Sequence, residues 1–270
     1  MTEQERSPQS LAGKEYWDSK SSSYRIKKIS FSLARAYFFD EHRIFRRTLP
    51  RNENFRLLEV GCYPGRLMWY FHKYFGYRVC GLEYLERSAG ITRRLLAAEG
   101  VEAEVIHTDF FSYQPPAGEK LWDVVLSFGF IEHYENWREV IKKHLDLVAP
   151  GGYLVLSVPN LRKPLGKIMQ VIAPESYAVH TVLGLGDLVE ALRSTEGVEI
   201  LEAAYCGGAG LRNTGIGGLF KNSGKAVRFI YKVLLFGLEA TGQFLPNSPF
   251  FSPGILVVAR KKPAPGAAIA

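Results

Sequence analysis

Residues able to do chemistry recur in short runs along this chain. Glu59-Val60-Gly61-Cys62-Tyr63-Pro64-Gly65 joins a carboxylate to two glycines, and glycine lets a backbone turn sharply and approach a ligand more closely than a Cβ permits. Glu83 follows about 20 residues after that loop, the interval at which an acid in nucleotide-binding α/β folds accepts from ribose hydroxyls. His107-Thr108-Asp109-Phe110 offers an acceptor beside an aromatic face, and Ser127-Phe128-Gly129-Phe130-Ile131-Glu132-His133 ends on two titratable groups. His180 stands further on. Histidine is the side chain whose ordinary pKa lies nearest neutral pH, so His133 and His180 are the candidate general bases, each with a structural hydrogen bond as the competing role. His107 reads as structural. Glu132 reads as a helix cap or an arginine partner in preference to a catalytic group. Glu59, inside an apolar run, needs partners if buried, and loop amides or a ligand would supply them.

These runs work together only if one scaffold brings them to a common edge. Apolar periodicity predicts a helix over 33–49, then a strand over 56–61, a helix over 67–75, a strand over 78–84 and a helix over 87–99 that stops at Gly100. Strands over 104–107 and 122–128, a helix over 137–147 closed by Pro150-Gly151-Gly152, and strands over 153–158, 198–204 and 255–259 follow. Strands alternating with helices predict a doubly wound α/β fold with a mostly parallel sheet. In such sheets ligands bind at the carboxyl ends of the strands near the topological switch point, and each run above ends a strand.

Composition narrows the setting. At 270 residues and 47% hydrophobic, one enlarged domain is expected: an N-terminal helical cap over 1–50, a core over 51–160, a C-terminal half over 161–262 and a tail over 263–270. Cys62, Cys80 and Cys206 are odd in number and far apart, so neither a disulfide framework nor a metal centre is expected. A polar N-terminus without a signal-peptide core points to the cytoplasm. The net charge of +7 permits nucleic acid, anionic lipid or an acidic small molecule as partner, but the cations are scattered, which favours a solvated surface.

Taken together, Glu59 to Gly65, Glu83, Asp109-Phe110, the 127–133 stretch and Leu147-Val148-Ala149-Pro150-Gly151-Gly152 resemble the successive motifs of class I S-adenosylmethionine (SAM)-dependent methyltransferases. Ile131-Glu132-His133 and His180 look similar to the small-molecule O-methyltransferases related to the ubiquinone-biosynthesis enzymes. The resemblance implies a seven-stranded Rossmann-like sheet of order 3-2-1-4-5-7-6, with the seventh strand antiparallel. It implies SAM held at its methionine end by the loop with Gly61, Cys62 and Gly65, at the ribose by Glu83 with Tyr84 beside it, and at the adenine by Asp109 and Phe110; Glu59 and Phe128 belong to the same site. Tyr16-Trp17-Asp18 and Tyr24 resemble the segment that folds over SAM in these enzymes, or else anchor a helix. Such loops usually carry a central glycine where this chain has Tyr63, which displaces the loop or brings a side chain to the amino-acid moiety. The dinucleotide pattern also fails, because Tyr63 and Arg66 occupy two of its glycine positions.

Two segments exceed the minimal fold, 161–195 and 207–253, and long connections commonly bind or cover ligands. The apolar stretch over 227–245 is too short and too interrupted for a transmembrane span. It reads as a helix capping an apolar acceptor pocket, with a core helix and a membrane-surface helix as alternatives, and peripheral membrane contact is the less favoured of these. The expectation is methyl transfer to a hydroxyl, or another heteroatom, of a small or lipid-like acceptor. RNA or protein methylation, or a non-catalytic SAM-binding scaffold, are the competing functions. Nucleic acid is disfavoured because no concentrated cationic face with interleaved aromatics is present. Oligomeric state is not legible.

Overall fold

A computed structural model describes residues 10–23, 28–29, 35–116, 118–211, 213–220, 222–242 and 244–263. Seven strands form one sheet: β1 (Arg56–Val60), β2 (Arg78–Glu83), β3 (Ala103–His107), β4 (Trp122–Phe128), β5 (Val148–Pro159), β6 (Val198–Cys206) and β7 (Gly254–Lys261). Their order is β3-β2-β1-β4-β5-β7-β6. The first five pair in parallel, and β7 runs antiparallel to both β5 and β6. This is the predicted order and the predicted sense of the last strand. Connections reverse direction between β1 and β4, which places the switch point at their carboxyl ends.

The apolar runs explain the layers. β4 is buried through Ser127 and β7 through Ala259, as continuous Val/Leu/Ile strands must be when helices cover both faces. On one face α2 (Ala36–Thr48), α3 (Arg66–Phe75) and α4 (Glu86–Ala98) contribute Ile44, Phe45, Met68, Phe71, Leu95 and Leu96 to a core beneath Leu57 and Leu126. On the other, α5 (Trp137–Leu147) and α8 (Leu185–Arg193) pack Trp137, Val140, Ile141, Leu188 and Leu192 against Leu58 and Val125. Buried residues of α3 recur at Leu67, Met68, Phe71 and Phe75, the one-sided helical spacing.

One boundary differs from the sequence expectation. Pro150-Gly151-Gly152 was expected to end a helix before the strand, yet β5 already pairs at Val148 opposite Trp122, and a register irregularity between Trp122 and Val124 absorbs the extra residues. A Cβ at Gly152 would stand 2.8 Å from the Asp123 carbonyl, so the glycine serves close strand approach rather than helix termination.

The long segment after β5 folds as α6 (Lys163–Ile172), α7 (Pro174–Ala178) and α8, and the one before β7 as a 3-10 turn (Ile216–Phe220) and α9 (Lys225–Gly242). α9 is not a core helix: Gly242 is its one buried residue, while Tyr231, Leu235 and Leu238 are half-buried. Near the N-terminus α1 (Lys14–Ser23) precedes the cap helix α2. Tyr24 lies outside the described residues.

Candidate active site at the strand tips

The tip of β1 is built by close approach. Gly61 and Cys62 both donate their amides to the Leu82 carbonyl of β2, at 3.0 and 3.1 Å, which folds the loop sideways onto the neighbouring strand. Gly81 makes this possible: a Cβ there would stand 2.5 Å from Cys62 Sγ, closer than packed atoms tolerate. The Cys62 side chain is thus packed into the core, and its thiol is held well above the ordinary range by burial and by Glu59 and Glu83 nearby. What Cys62 offers a ligand is backbone. Gly61 is exposed in the left-handed region, at φ 72°. Gly65, also left-handed, caps α3, and Glu59 Oε2 accepts from the Met68 amide in the first turn of that helix at 3.1 Å. Glu59 therefore ties strand to helix by satisfying an otherwise orphaned helix-terminal donor, as expected of an acid buried in an apolar strand.

Glu83 ends β2 beside this loop. Its Oε2 accepts from the Tyr63 amide at 3.3 Å and its Oε1 from Leu85 at 3.1 Å, leaving lone pairs on both oxygens for further donors. Burial pushes its pKa up while the Leu85, Tyr63 and Tyr84 amides pull it down. Tyr84 is exposed, with the Lys14 ammonium 5.8 Å above its ring. Past β3, Asp109 is exposed and its Oδ1 accepts from the Phe111 amide at 2.7 Å. Phe110 is buried, edge-on to Phe130 and 4.6 Å from the His144 ring, so it forms floor rather than an open aromatic face. Phe128 faces the α2 layer, 6.4 Å from Phe45.

The tip of β4 gathers the titratable groups. A 3-10 turn (Ile131–His133) buries Glu132 and His133, and the segment after α7 returns alongside it. His133 Nδ1 donates to the Val179 carbonyl at 2.7 Å, and His180 Nδ1 donates to the Ser176 carbonyl at 2.6 Å. Because a carbonyl only accepts, both rings carry their proton on Nδ1 when neutral, which makes each Nε2 an acceptor. The rings lie 4.5 Å apart, and Glu132 Oε1 is 4.0 Å from His133 Nε2. Glu132 Oε2 is buried with no hydrogen-bond partner among the described residues. The sequence reading expected no metal centre and gave Glu132 a cap or arginine role. The fold instead brings Glu132, His133 and His180 within 4.8 Å of one another, a spacing that can share a proton or hold one cation. Trp17 of α1 stands edge-on to His133 at 4.6 Å, and Leu11 donates its amide to the His133 carbonyl. With Lys14 over Tyr84, α1 spans from the β2 tip to the β4 tip.

Four buried groups give the fold a pH dependence. Burial raises Glu59 and Glu132 from 4.5 to about 8. Burial, with His180 adding to it for the first, lowers His133 from 6.5 to about 3 and His144 to about 4. Between pH 4.5 and 8 the folded acids keep protons that the unfolded chain has released, so each subtracts stability as pH rises. Each histidine does the reverse as pH rises toward 6.5. The pairs oppose one another below 6.5, and above it the acids act alone. Unfolding free energy should therefore fall from pH 6.5 to 8, by on the order of 1 kcal/mol per pH unit for each acid. Glu132→Gln should remove its share. Urea titrations across that range check this, and a constant free energy would contradict the assignment of neutral buried acids.

The residues fit SAM. An exposed left-handed backbone at Gly61, where a Cβ would crowd the Phe130 ring at 3.3 Å, leaves a cradle for a polar chain. Glu83 beside it has acceptor capacity for a diol, and Asp109 lies at the next tip. A family model described as a methyltransferase domain matches residues 32–193. The ubiquinone biosynthesis O-methyltransferase of Leptothrix cholodnii is 25% identical over 152 residues, covering 55% of this chain and 63% of that one. Ajmaline N-methyltransferase of Rauvolfia serpentina is 24% identical over 135 residues, covering 50% and 45%. The chain thus matches less than two thirds of the length of these curated relatives. Coclaurine N-methyltransferase bound to N-methylheliamine and SAH shares the fold at a TM-score of 0.57 and 15% identity, covering 87% of this chain and 76% of that one. With the family model spanning well over half of its residues, this chain belongs to the methyltransferase domain family.

Proposed function

We propose that this enzyme methylates a hydroxyl of a small or lipid-like molecule. When bound, SAM supplies an electrophilic methyl group on a sulfonium. The chain's own residues then have three tasks: to hold SAM, to align the acceptor and to remove the acceptor's proton. Glu83 receives the ribose hydroxyls, the Gly61 to Gly65 backbone the methionine end, and Asp109 the adenine amino group. Tyr84 and Phe110 flank the adenosyl group as wall and floor, and Trp17 keeps water from the β4 tip.

The observation that carries the reading is the pairing of two imidazoles 4.5 Å apart at the β4 tip, each with its Nδ1 proton fixed on a backbone carbonyl. A hydroxyl must lose its proton as it attacks, whereas a neutral amine attacks through a lone pair it already has, so a positioned base favours oxygen. His133, pushed to about 3 by burial and by His180, stays neutral and positions its neighbour. His180, half-buried and better solvated, takes the proton.

The test is to incubate the purified chain with SAM and pooled small-molecule extract, then follow S-adenosylhomocysteine and new methyl ethers by mass spectrometry. Methyl ethers are expected. Turnover confined to RNA or protein would overturn the reading, as would SAM binding without turnover on any pool, the behaviour of a scaffold.

A further inference from the structure

α9 turns its apolar side outward. Phe229 is 68% exposed and Leu234 67%, with Ile230, Val233 and Phe236 exposed on the same side. In the segment that follows α9, Phe244 is 82% exposed and Phe250 and Phe251 are exposed as well. Isolated exposed apolar residues need no explanation, but a contiguous patch of large ones marks a surface meant to be covered.

The charges beside it indicate what covers it. Lys225, Arg228 and Lys232 recur at helical spacing and are exposed along one edge of the outward face. Between Leu219 and Phe251 the chain carries four cations and a single acid, Glu239. That acid is paired to Arg35 of the cap at 3.1 Å. Lys163 of α6 sits 4.4 Å over the exposed Phe250 ring, with Lys167 exposed on the same helix. Three bands therefore run along α9: Tyr231, Leu235 and Leu238 toward the protein, a cationic stripe, and a broad apolar arc facing away. A second copy docked antiparallel along α9 would bring these cations against their own equivalents. No helix among the described residues is long and apolar enough to cross a membrane.

We propose that this face docks on the surface of an anionic lipid bilayer, with α9 lying in the interface plane. Phe and Leu side chains enter the acyl boundary while Lys225, Arg228 and Lys232 meet phosphate headgroups. The face is rigidly tied to the strand tips. Asp40 of α2 accepts from the Gly207 amide at 2.9 Å and from Asn247 at 3.0 Å, at the two ends of the segment carrying α9. Tyr37 of the same helix shares a hydrogen bond with Ser157, the register partner of Phe128 at the β4 tip. The inference stands independently of the acceptor's identity.

Flotation of the full chain with vesicles tests it, comparing phosphatidylcholine alone with vesicles about one third phosphatidylglycerol. Binding to the anionic vesicles is expected, weakening as salt rises. Phe229→Ser with Leu234→Ser should weaken it at least about tenfold. Lys225→Glu, Arg228→Glu and Lys232→Glu together should weaken it about 100-fold or more. All these side chains are exposed, so thermal unfolding should be unchanged. Three results would overturn the proposal: no vesicle binding by the unaltered chain, binding indifferent to both sets of substitutions, or a dimer by light scattering that the Phe229 and Leu234 substitutions dissociate. None of these readouts involves methyl transfer, so failure here is distinct from failure of the proposed function.

Discussion

His180→Ala should lower kcat about 100-fold or more while leaving SAM affinity unchanged. The asymmetry between the two histidines carries this expectation. Two imidazoles 4.5 Å apart do not both charge readily. Burial and the neighbouring ring hold His133 at about 3, too low to keep a proton at neutral pH, so the proposed reaction assigns the acceptor's proton to His180. The Ser176 carbonyl fixes the His180 tautomer at 2.6 Å, which makes its other ring nitrogen the acceptor. His133→Ala should also spare SAM binding and lower turnover less, because its part is to position. Calorimetry with SAM and steady-state kinetics on one acceptor separate the two readouts. If His180→Ala turns over at the original rate, catalysis rests on alignment alone and the base assignment is wrong.

Glu83→Ala should weaken SAM binding by about 1 to 3 kcal/mol, roughly 5- to 150-fold in Kd. The substitution removes the proposed acceptor for two ribose hydroxyls, and it also strips the Tyr63 and Leu85 amides of theirs. Glu83→Gln retains one oxygen and should lose less. Because burial raises the Glu83 pKa against the pull of those amides, SAM affinity should decline as pH falls through that raised value, where the carboxyl is neutral and accepts fewer bonds. Unchanged affinity in Glu83→Ala would refute the ribose assignment.

Much of this was legible from residue order because the informative features are local. Glycines and acids at strand ends announce a turn and a polar tip, and β4 and α5 begin and end where periodicity places them. The start of β5 was not legible, since two glycines after a proline signal a helix stop with equal force whether or not a strand already pairs across them. Phe110 shows a second limit: an aromatic beside an acid suits a ligand, but only packing against Phe130 and His144 reveals that the ring is turned inward. Glu132 shows a third. Its meeting with His133 and His180 depends on a contact between His133 and Val179, 46 residues apart, and no local pattern encodes it. The same holds for α9, whose periodicity is identical whether its apolar arc is covered or bare.

The short turn at the β4 tip is held from three directions. Leu11 reaches its last carbonyl, Thr181 donates to the Glu132 carbonyl, and Val179 receives the His133 ring. Chain growing from a ribosome can make β1 to β4 long before residue 181 emerges, yet Glu132, His133 and His180 do not meet until that late segment swings back and the earliest residues close from the other side. A change that frees residues 179–181 from the β4 tip would therefore disperse the cluster while leaving the parallel strands before it in place.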